Sequence, residues 1–155
     1  MEKITLRNYV ITFLVVFVID RCTKFFAMDN FMSYKLWYFF DIVPALNKGL
    51  VFGCFAQNVL EHQFVYILIS SGLLLYILHY AVVQYKNHQP VYAQVAILAA
   101  GLGNIVDRIF YKGVIDFLAA KVYILGDVCT VIFNVADICI VAGVIWLIIE
   151  SLAQN

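Results

Sequence analysis

Residues 114–137, with the sequence VIDFLAAKVYILGDVCTVIFNVAD, decide how this chain folds, because they join two apolar segments and can be built in two ways. Two β-prone runs lie within the stretch, at residues 122–125 and 128–132, on either side of the pair Gly126-Asp127. Runs rich in β-branched residues around a Gly-Asp pair are typical of a β-hairpin. We therefore predict a hairpin here.

The alternative for this stretch is a fifth membrane-spanning helix over residues 117–136. Lys121, Gly126 and Asp127 would lie inside that helix, and charged residues are costly within a span. The choice matters because a hairpin returns the chain to the membrane face that it left. With a hairpin, Asp116 and Asp137 lie on the same side of the membrane.

The rest of the chain has the composition of an integral membrane protein. Hydrophobic residues make up 65% of it and charged residues 13%, whereas soluble domains are about 45–50% apolar. A helix needs ~20 residues to cross the hydrocarbon core. Four stretches are long enough, namely residues 9–27, 63–85, 90–110 and 134–152. We predict one domain over residues 1–155, an all-α membrane protein of four transmembrane helices.

A small β platform is expected on one face of this bundle. Residues 34–55 are rich in aromatic and β-branched residues and are interrupted by Pro44 and Gly49, which fits strands lying at the membrane surface. Together with the predicted hairpin they would form the platform. The first span is not expected to be a cleaved signal peptide, because Asp20, Arg21 and Lys24 follow its core instead of a cleavage site.

Composition also excludes several classes of function. The net charge is zero, so the basic face that nucleic-acid binding requires is not expected. The cysteines show neither CxxC nor zinc spacing, and a disulfide between Cys54 and Cys129 stays open. The three histidines lie in or beside the second span, away from the other polar residues. We therefore expect neither a metal nor an organic cofactor.

Polar side chains are scarce, and the candidate site residues, which lie in the spans or in the segments next to them, gather at one end of the predicted bundle. They are Asp20, Lys24, Asn47, Asn104, Asp107, Arg108, Asp116, Asn134 and Asp137. Two carboxylates that converge can share a proton and activate a water molecule for hydrolysis. We therefore expect an intramembrane aspartyl protease with Asp116 and Asp137 as its catalytic pair. The alternative is two separate carboxylates that reach water, Asp137 being favoured in the first turn of a helix.

The spacing of two of the polar pairs can be explained by a structural role as well as by a role in function. Asp20 and Lys24 stand four residues apart on a predicted helix, which is the spacing of a salt bridge that anchors a helix end. Asn134 stands three residues before Asp137. It can cap the fourth helix, and it can also orient the Asp137 carboxylate.

The polar residues of the third span also allow two readings. Asn104 and Arg108 lie four residues apart and share one helix face, while Asp107 points roughly 100° away from Arg108. Asn104 and Arg108 could bind an anionic or carbonyl group of a substrate. They could equally belong to a buried polar network that holds the helices together.

At the level of motifs, the chain resembles lipoprotein signal peptidase, the bacterial type II signal peptidase. Four blocks of that family are found in order. The first is Asp20-Arg21-Cys22-Thr23-Lys24, which matches D-x-x-[ST]-K, and the second is Asn47-Lys48-Gly49-Leu50-Val51-Phe52-Gly53, which resembles N-x-G-A-A-F-G. The third is Gly103-Asn104-Ile105-Val106-Asp107-Arg108, which matches G-N-x-x-D-R and is followed by Val114-Ile115-Asp116-Phe117 for V-V-D-F. The fourth is Phe133-Asn134-Val135-Ala136-Asp137, which matches F-N-x-A-D. Any one block is weak, but all of them in order are specific.

The resemblance implies an activity, a site and a location. The family removes the signal peptide of bacterial prolipoproteins before a cysteine that already carries diacylglycerol. Its catalytic aspartates correspond to Asp116 and Asp137, and its substrate-contact and site-supporting residues to Asn47, Asn104, Arg108 and Asn134, with Asp20, Lys24 and Asp107 in the matching blocks. It implies a multi-pass protein of the bacterial inner membrane with both termini in the cytoplasm and the active site at the periplasmic face. The lysine distribution by itself leaves that orientation ambiguous. The implied partners are the diacylated prolipoprotein and membrane lipid, and we expect a monomer.

Some positions depart from the family pattern, and two other classes of function stay open. Leu46 stands where the family usually has arginine, and Leu50 and Val51 replace a pair of alanines. These changes concern the lipid-headgroup contacts and the shape of the pocket. A relative that binds lipoproteins without cutting them is one alternative. A small transporter or proton relay is another, and it predicts polar residues spread through the membrane depth.

Overall fold

The computed structural model describes residues 6–29, 33–35, 40–49, 59–124 and 127–153 of the chain. Within them the structure has helices and one antiparallel sheet. In chain order the elements are α1 Leu6–Asp29, β1 Tyr34–Lys35, β2 Phe40–Asn47, α2 Val59–Lys86, α3 Tyr92–Tyr111, β3 Val114–Ile124, β4 Asp127–Phe133 and α4 Val135–Ala153. The four helices agree within a few residues with the four apolar stretches of the sequence.

Helix α3 is the centre of the bundle, since α1, α2 and α4 all pack against it. The approach of α1 is close because Gly103 has no side chain, and a Cβ atom there would lie 2.5 Å from Asp20 Oδ2. Helix α4 approaches the other side in the same way, where a Cβ atom on Gly143 would lie 2.6 Å from Ile97 Cγ1. Small residues thus bring neighbouring helices, and the polar groups they carry, to short distances.

Three helical segments in the described part of the chain are long and apolar enough to cross a membrane. They are Gln63–Lys86, Tyr92–Tyr111 and Val135–Ala153. Helix α1 has 24 residues, which gives it a length of ~36 Å. It also carries Arg7, Asp20, Arg21 and Lys24, so length and composition do not show it to be a span. The predicted count of four spans therefore stays a prediction.

The sheet confirms the predicted hairpin. Strands β3 and β4 pair antiparallel from Leu118 opposite Phe133 to Ile124 opposite Asp127, and residues 125–126 at the turn lie outside the described part. The alternative of a fifth span over residues 117–136 is therefore wrong. The order of the strands is β1-β2-β3-β4.

Strand β3 is longer than the hairpin pattern predicts, because it also pairs with β2 on its other edge. Ala45 of β2 lies opposite Asp116, and Asn47 lies opposite Val114. Asp116 therefore belongs to a central strand of the sheet, whereas the sequence pattern places it only after the third span. Cys54, a candidate for a disulfide with Cys129, lies outside the described residues, and Cys129 is a free thiol exposed on β4.

Candidate active site

Asp116 is held in the sheet by two asparagine side chains. Asn47 at the end of β2 donates a hydrogen bond from Nδ2 to Asp116 Oδ2 at 2.9 Å. Asn134 donates from Nδ2 to Asp116 Oδ1 at 2.7 Å. The residue is only 2% exposed. Burial is the main reason that the pKa of Asp116 is raised to about 6, and the nearby Asp137 adds to the increase, while the two asparagines and Lys24 oppose it.

Asp137 is part of the cap of helix α4. Asn134 accepts a hydrogen bond at Oδ1 from the backbone N–H of Asp137 at 3.0 Å. In return Asp137 Oδ2 accepts the backbone N–H of Asn134 at 3.1 Å. This reciprocal pair is a capping box built from asparagine and aspartate. Asn104 of α3 donates to the remaining oxygen, Asp137 Oδ1, at 3.0 Å, so the carboxylate is held on both sides.

Asn134 therefore joins the two carboxylates. Its amide donates to Asp116, and its backbone and side-chain oxygen fix Asp137. Both aspartates line one cavity of about 300 Å³. The wall also includes Asn47, Asn104 and Arg108, and otherwise consists mainly of apolar side chains of α2, α3 and α4. The structure thus gives two carboxylates facing a common, largely apolar cavity.

Beside the aspartates lies an ionic cluster of two acids and two bases. Arg21 pairs with Asp20 and with Asp107, each at 2.7 Å. Lys24 pairs with the same two carboxylates, at 3.1 Å to Asp20 and 2.8 Å to Asp107. The predicted Asp20–Lys24 salt bridge is confirmed. It is one of four ion pairs within the cluster and not an isolated pair. Asp20, Lys24 and Asp107 are all at most 1% exposed.

The ionic cluster is connected to the aspartates through Asn104. Lys24 Nζ donates to Asn104 Oδ1 at 2.6 Å, and Asn134 Nδ2 lies 3.3 Å from the same oxygen. With its oxygen held by Lys24, the amide nitrogen of Asn104 is directed to Asp137. Lys24 of α1 therefore contacts the site through Asn104, while Asp20 of α1 accepts the backbone N–H of Ala136, directly before Asp137.

Arg108 points away from Asp107 on α3, as the offset of roughly 100° between the two residues predicts. It donates to Gln63 Oε1 at 3.0 Å and to the backbone oxygen of Gly49 at 2.8 Å. Its guanidinium also lies 5.2 Å from the ring centre of Tyr66. Gln63 in turn donates to the Lys48 oxygen at 2.7 Å. Arg108 and Gln63 together fix the backbone that follows Asn47, while a contact of Arg108 with substrate stays a prediction.

The structure brings all nine predicted site residues to one end of the bundle, and it adds two that the sequence analysis missed. Arg21 completes the ionic cluster, whereas its position in the sequence marks it only as a charged residue after the first apolar core. Gln63 is 3% exposed. An uncharged polar residue at the start of an otherwise apolar segment was the available signal for Gln63, but sequence does not show that its partner is Arg108, which is 45 residues away.

Comparisons with known proteins agree on one family. The family model for signal peptidase (SPase) II matches residues 12–153. Among curated proteins, the chain is similar to the lipoprotein signal peptidases of Pelagibacter ubique, at 32% identity over 100% of this chain and 95% of that protein, and of Syntrophus aciditrophicus, at 33% over 95% and 93%. That of Clostridium acetobutylicum is 30% identical over 85% of each chain.

Solved structures show the same fold. One is described as a bacterial membrane enzyme at 2.3 Å resolution and superposes with a TM-score of 0.77, at 23% identity, over 96% of this chain and 90% of that one. A second bacterial membrane enzyme, solved at 1.9 Å resolution, has a TM-score of 0.74 and the same identity, over 97% of this chain and 96% of that one. The helix arrangement and the small sheet are therefore an established architecture.

Proposed function

Since the chain belongs to the signal peptidase II family, we propose that it is an intramembrane aspartyl endopeptidase that removes the signal peptide from diacylglyceryl-modified prolipoproteins. The observation that carries the aspartyl assignment is the shared position of Asp116 and Asp137. Both line one cavity, and Asn134 hydrogen-bonds to both of them. Two buried carboxylates so connected are suited to share one proton, because like charges at short range disfavour double ionisation.

The hydrolysis then needs only these carboxylates and one water molecule. The ionised aspartate takes a proton from the water as its oxygen attacks the carbonyl carbon of the scissile peptide bond. The protonated aspartate donates a hydrogen bond to the carbonyl oxygen. When the carbon–nitrogen bond breaks, the departing amine takes the proton that the first aspartate received from the water, which restores the ionised aspartate. The other product is released as a carboxylic acid, which then ionises to a carboxylate. The pair titrates as a unit. The roles of proton acceptor and hydrogen-bond donor are therefore assigned to the pair and not to one particular aspartate.

The cavity is suited to a substrate that arrives from the lipid. Its apolar wall includes Ile69 and Leu73 of α2 and Ile140 and Val141 of α4. A signal-peptide helix entering between α2 and α4 would bring its end to the aspartates. The diacylglyceryl chains of the substrate cysteine would stay in the bilayer. The proposal places four spans in the inner membrane, with both termini in the cytoplasm and the aspartates at the periplasmic face.

The test is cleavage of a purified diacylated prolipoprotein by the full chain and by Asp116→Asn and Asp137→Asn. We expect each substitution to lower kcat by about 10²–10⁴-fold or more, because proton transfer fails. Asp41→Asn is the control, since Asp41 pairs with Lys121 across β2 and β3 at 2.9 Å. Comparing the diacylated precursor with the unmodified one tests the lipid requirement. Activity within tenfold of the unsubstituted protein in both dyad variants would refute the assignment.

A further inference from the structure

Two buried carboxylates outside the dyad each accept a backbone N–H from the residue that precedes a dyad aspartate. Asp107 Oδ2 accepts the N–H of Ile115 at 3.3 Å, directly before Asp116. Asp20 Oδ1 accepts the N–H of Ala136 at 3.3 Å, directly before Asp137. One contact fixes strand β3 and the other fixes the first turn of α4. The residue before each dyad aspartate is thus held in the same way, by a hydrogen bond from its backbone N–H to a buried carboxylate.

The two carboxylates are themselves fixed by the same pair of cations. Arg21 and Lys24 each pair with Asp20 and with Asp107. The cluster contains two positive and two negative charges, so it is balanced without the dyad. In a buried cluster of this kind, removal of one member leaves an uncompensated charge, and the remaining members rearrange. The positions of the two acceptor oxygens are therefore coupled.

We propose that Asp20 and Asp107 are positioning residues that set the relative placement of the two catalytic carboxylates by holding the peptide N–H before each of them. The proposal rests on the proposed function, since it concerns how that dyad is assembled. Asp20 extends from α1 and Asp107 from α3, and they hold α4 and β3 respectively. Neither residue touches the reacting atoms in this scheme. Both act through the backbone.

The contact at α4 completes the cap of that helix. The first N–H groups of a helix have no partner inside it. Asn134 satisfies the N–H of Asp137, and Asp20 satisfies the N–H of Ala136. The negative charge of Asp20 is also favourable at a helix N-terminus. Two different elements thus fix the turn that carries Asp137, which restricts its rotation relative to β3.

The charges of the ionic cluster also affect the dyad. A change in the pKa of Asp116 therefore distinguishes a positioning role from a contribution to the stability of the fold alone. The charged groups that act on Asp116 are Lys24 of α1, Arg108 of α3 and Asp137 of α4. Asp20 and Asp107 pair with Lys24. Lys24 lowers the pKa of Asp116. Replacing Lys24 by methionine should therefore raise the pKa of Asp116. Replacing Asp107 by asparagine leaves Lys24 less neutralised and should lower it.

The experiment compares Asp20→Asn, Asp107→Asn, Asp20→Ala, Asp107→Ala and Lys24→Met in the full chain, with diacylated prolipoprotein as substrate. The asparagine variants keep an acceptor oxygen of similar size, and the alanine variants lose it. We expect kcat per folded protein to fall by about tenfold to a hundredfold in the alanine variants, since small displacements of reacting groups are costly. The asparagine variants should lose less, and KM should change by less than about threefold. Asp41→Asn is the matched control.

The pH profile of kcat/KM supplies a measurement that a merely structural role would not move. Its alkaline limb should shift to lower pH in Asp107→Asn and to higher pH in Lys24→Met, in opposite directions. Limbs that stay in place, or that move the same way, would overturn the proposal, as would alanine variants with unchanged kcat. If an alanine variant does not fold, the asparagine and methionine variants decide. Failure of the proposed function itself looks different, since the unsubstituted chain would then not cleave the prolipoprotein, or Asp116→Asn would cleave it as well.

Discussion

Asn134 shows how one side chain can serve the fold and the site at once. Its oxygen and backbone make the capping box with Asp137, and its amide nitrogen donates to Asp116. The spacing of Asn134 and Asp137 in the sequence predicts the cap. The contact with Asp116 is not visible in the sequence, because it requires the start of α4 to lie beside a strand that was not predicted to extend so far.

Substitution of Asn47 tests how a single hydrogen bond affects the pKa of Asp116. Its hydrogen bond to Asp116 favours the ionised carboxylate and opposes the increase of the pKa to about 6. Asn47→Ala should therefore raise the pKa of Asp116. If the active dyad holds one proton, activity falls as pH rises through the upper apparent pKa of the pair. The alkaline limb of kcat/KM should therefore lie at higher pH in Asn47→Ala than in the unsubstituted protein.

The measurement is a full pH series on diacylated prolipoprotein. Asp41→Asn lies on the same strand as Asn47 and should leave the limb in place, since Asp41 pairs with Lys121 away from the dyad. A downward shift in Asn47→Ala would mean that this hydrogen bond does not favour the ionised form of Asp116.

At the scale of elements, local patterns predict the helices, the hairpin and strands within residues 34–55, and they miss the register in which β2 pairs with β3. Apolar stretches of span length locate α1 to α4, since a helix is defined by a continuous segment. The pair Gly126-Asp127 locates the hairpin in the same local way. The pairing of Ala45 with Asp116 joins residues far apart in the chain. It depends on tertiary packing, so the early start of β3 at Val114 could not be predicted from neighbouring residues.

The close packing of α1 on α3 should depend on Gly103. An alanine Cβ there would lie 2.5 Å from Asp20 Oδ2, so Asp20 must move or the helices must separate. We expect Gly103→Ala to lower the free energy of unfolding by about 1–3 kcal/mol, as overpacking does, and to reduce activity. Thermal unfolding in detergent measures the first effect, and prolipoprotein cleavage measures the second.

Gly72 offers a matched control for this substitution on α2. No atom lies within 4 Å of a Cβ built on Gly72, and alanine is the better helix former by about 1 kcal/mol. Gly72→Ala should therefore unfold at the same or a higher temperature and keep its activity. Equal behaviour of the Gly72 and Gly103 variants would show that Asp20 adapts to a displaced helix without cost.

For the whole molecule, the sequence predicts the site better than it predicts the surroundings. The apolar composition leaves few polar side chains, and a polar side chain that is buried among apolar ones favours a polar partner, which is why most of the nine selected residues contact one another. The same apolar composition hides the cavity. Ile69, Leu73, Ile140 and Val141 resemble any other lipid-facing residues in the sequence, and only the packing of α2 and α4 on α3 places them around one space.

The last prediction concerns entry of the substrate into that space. If the signal peptide enters between α2 and α4, a bulky residue at Val141 should obstruct it. We expect Val141→Trp to lower kcat/KM by at least about tenfold, mainly by raising KM, because binding weakens in substrate and transition state alike. The alkaline limb should stay in place, because the polar partners of Asp116 are unchanged. Leu75→Trp is the control, since Leu75 is 65% exposed on α2 and is not among the residues that line the cavity. Equal kinetics for the two variants would place the entrance elsewhere.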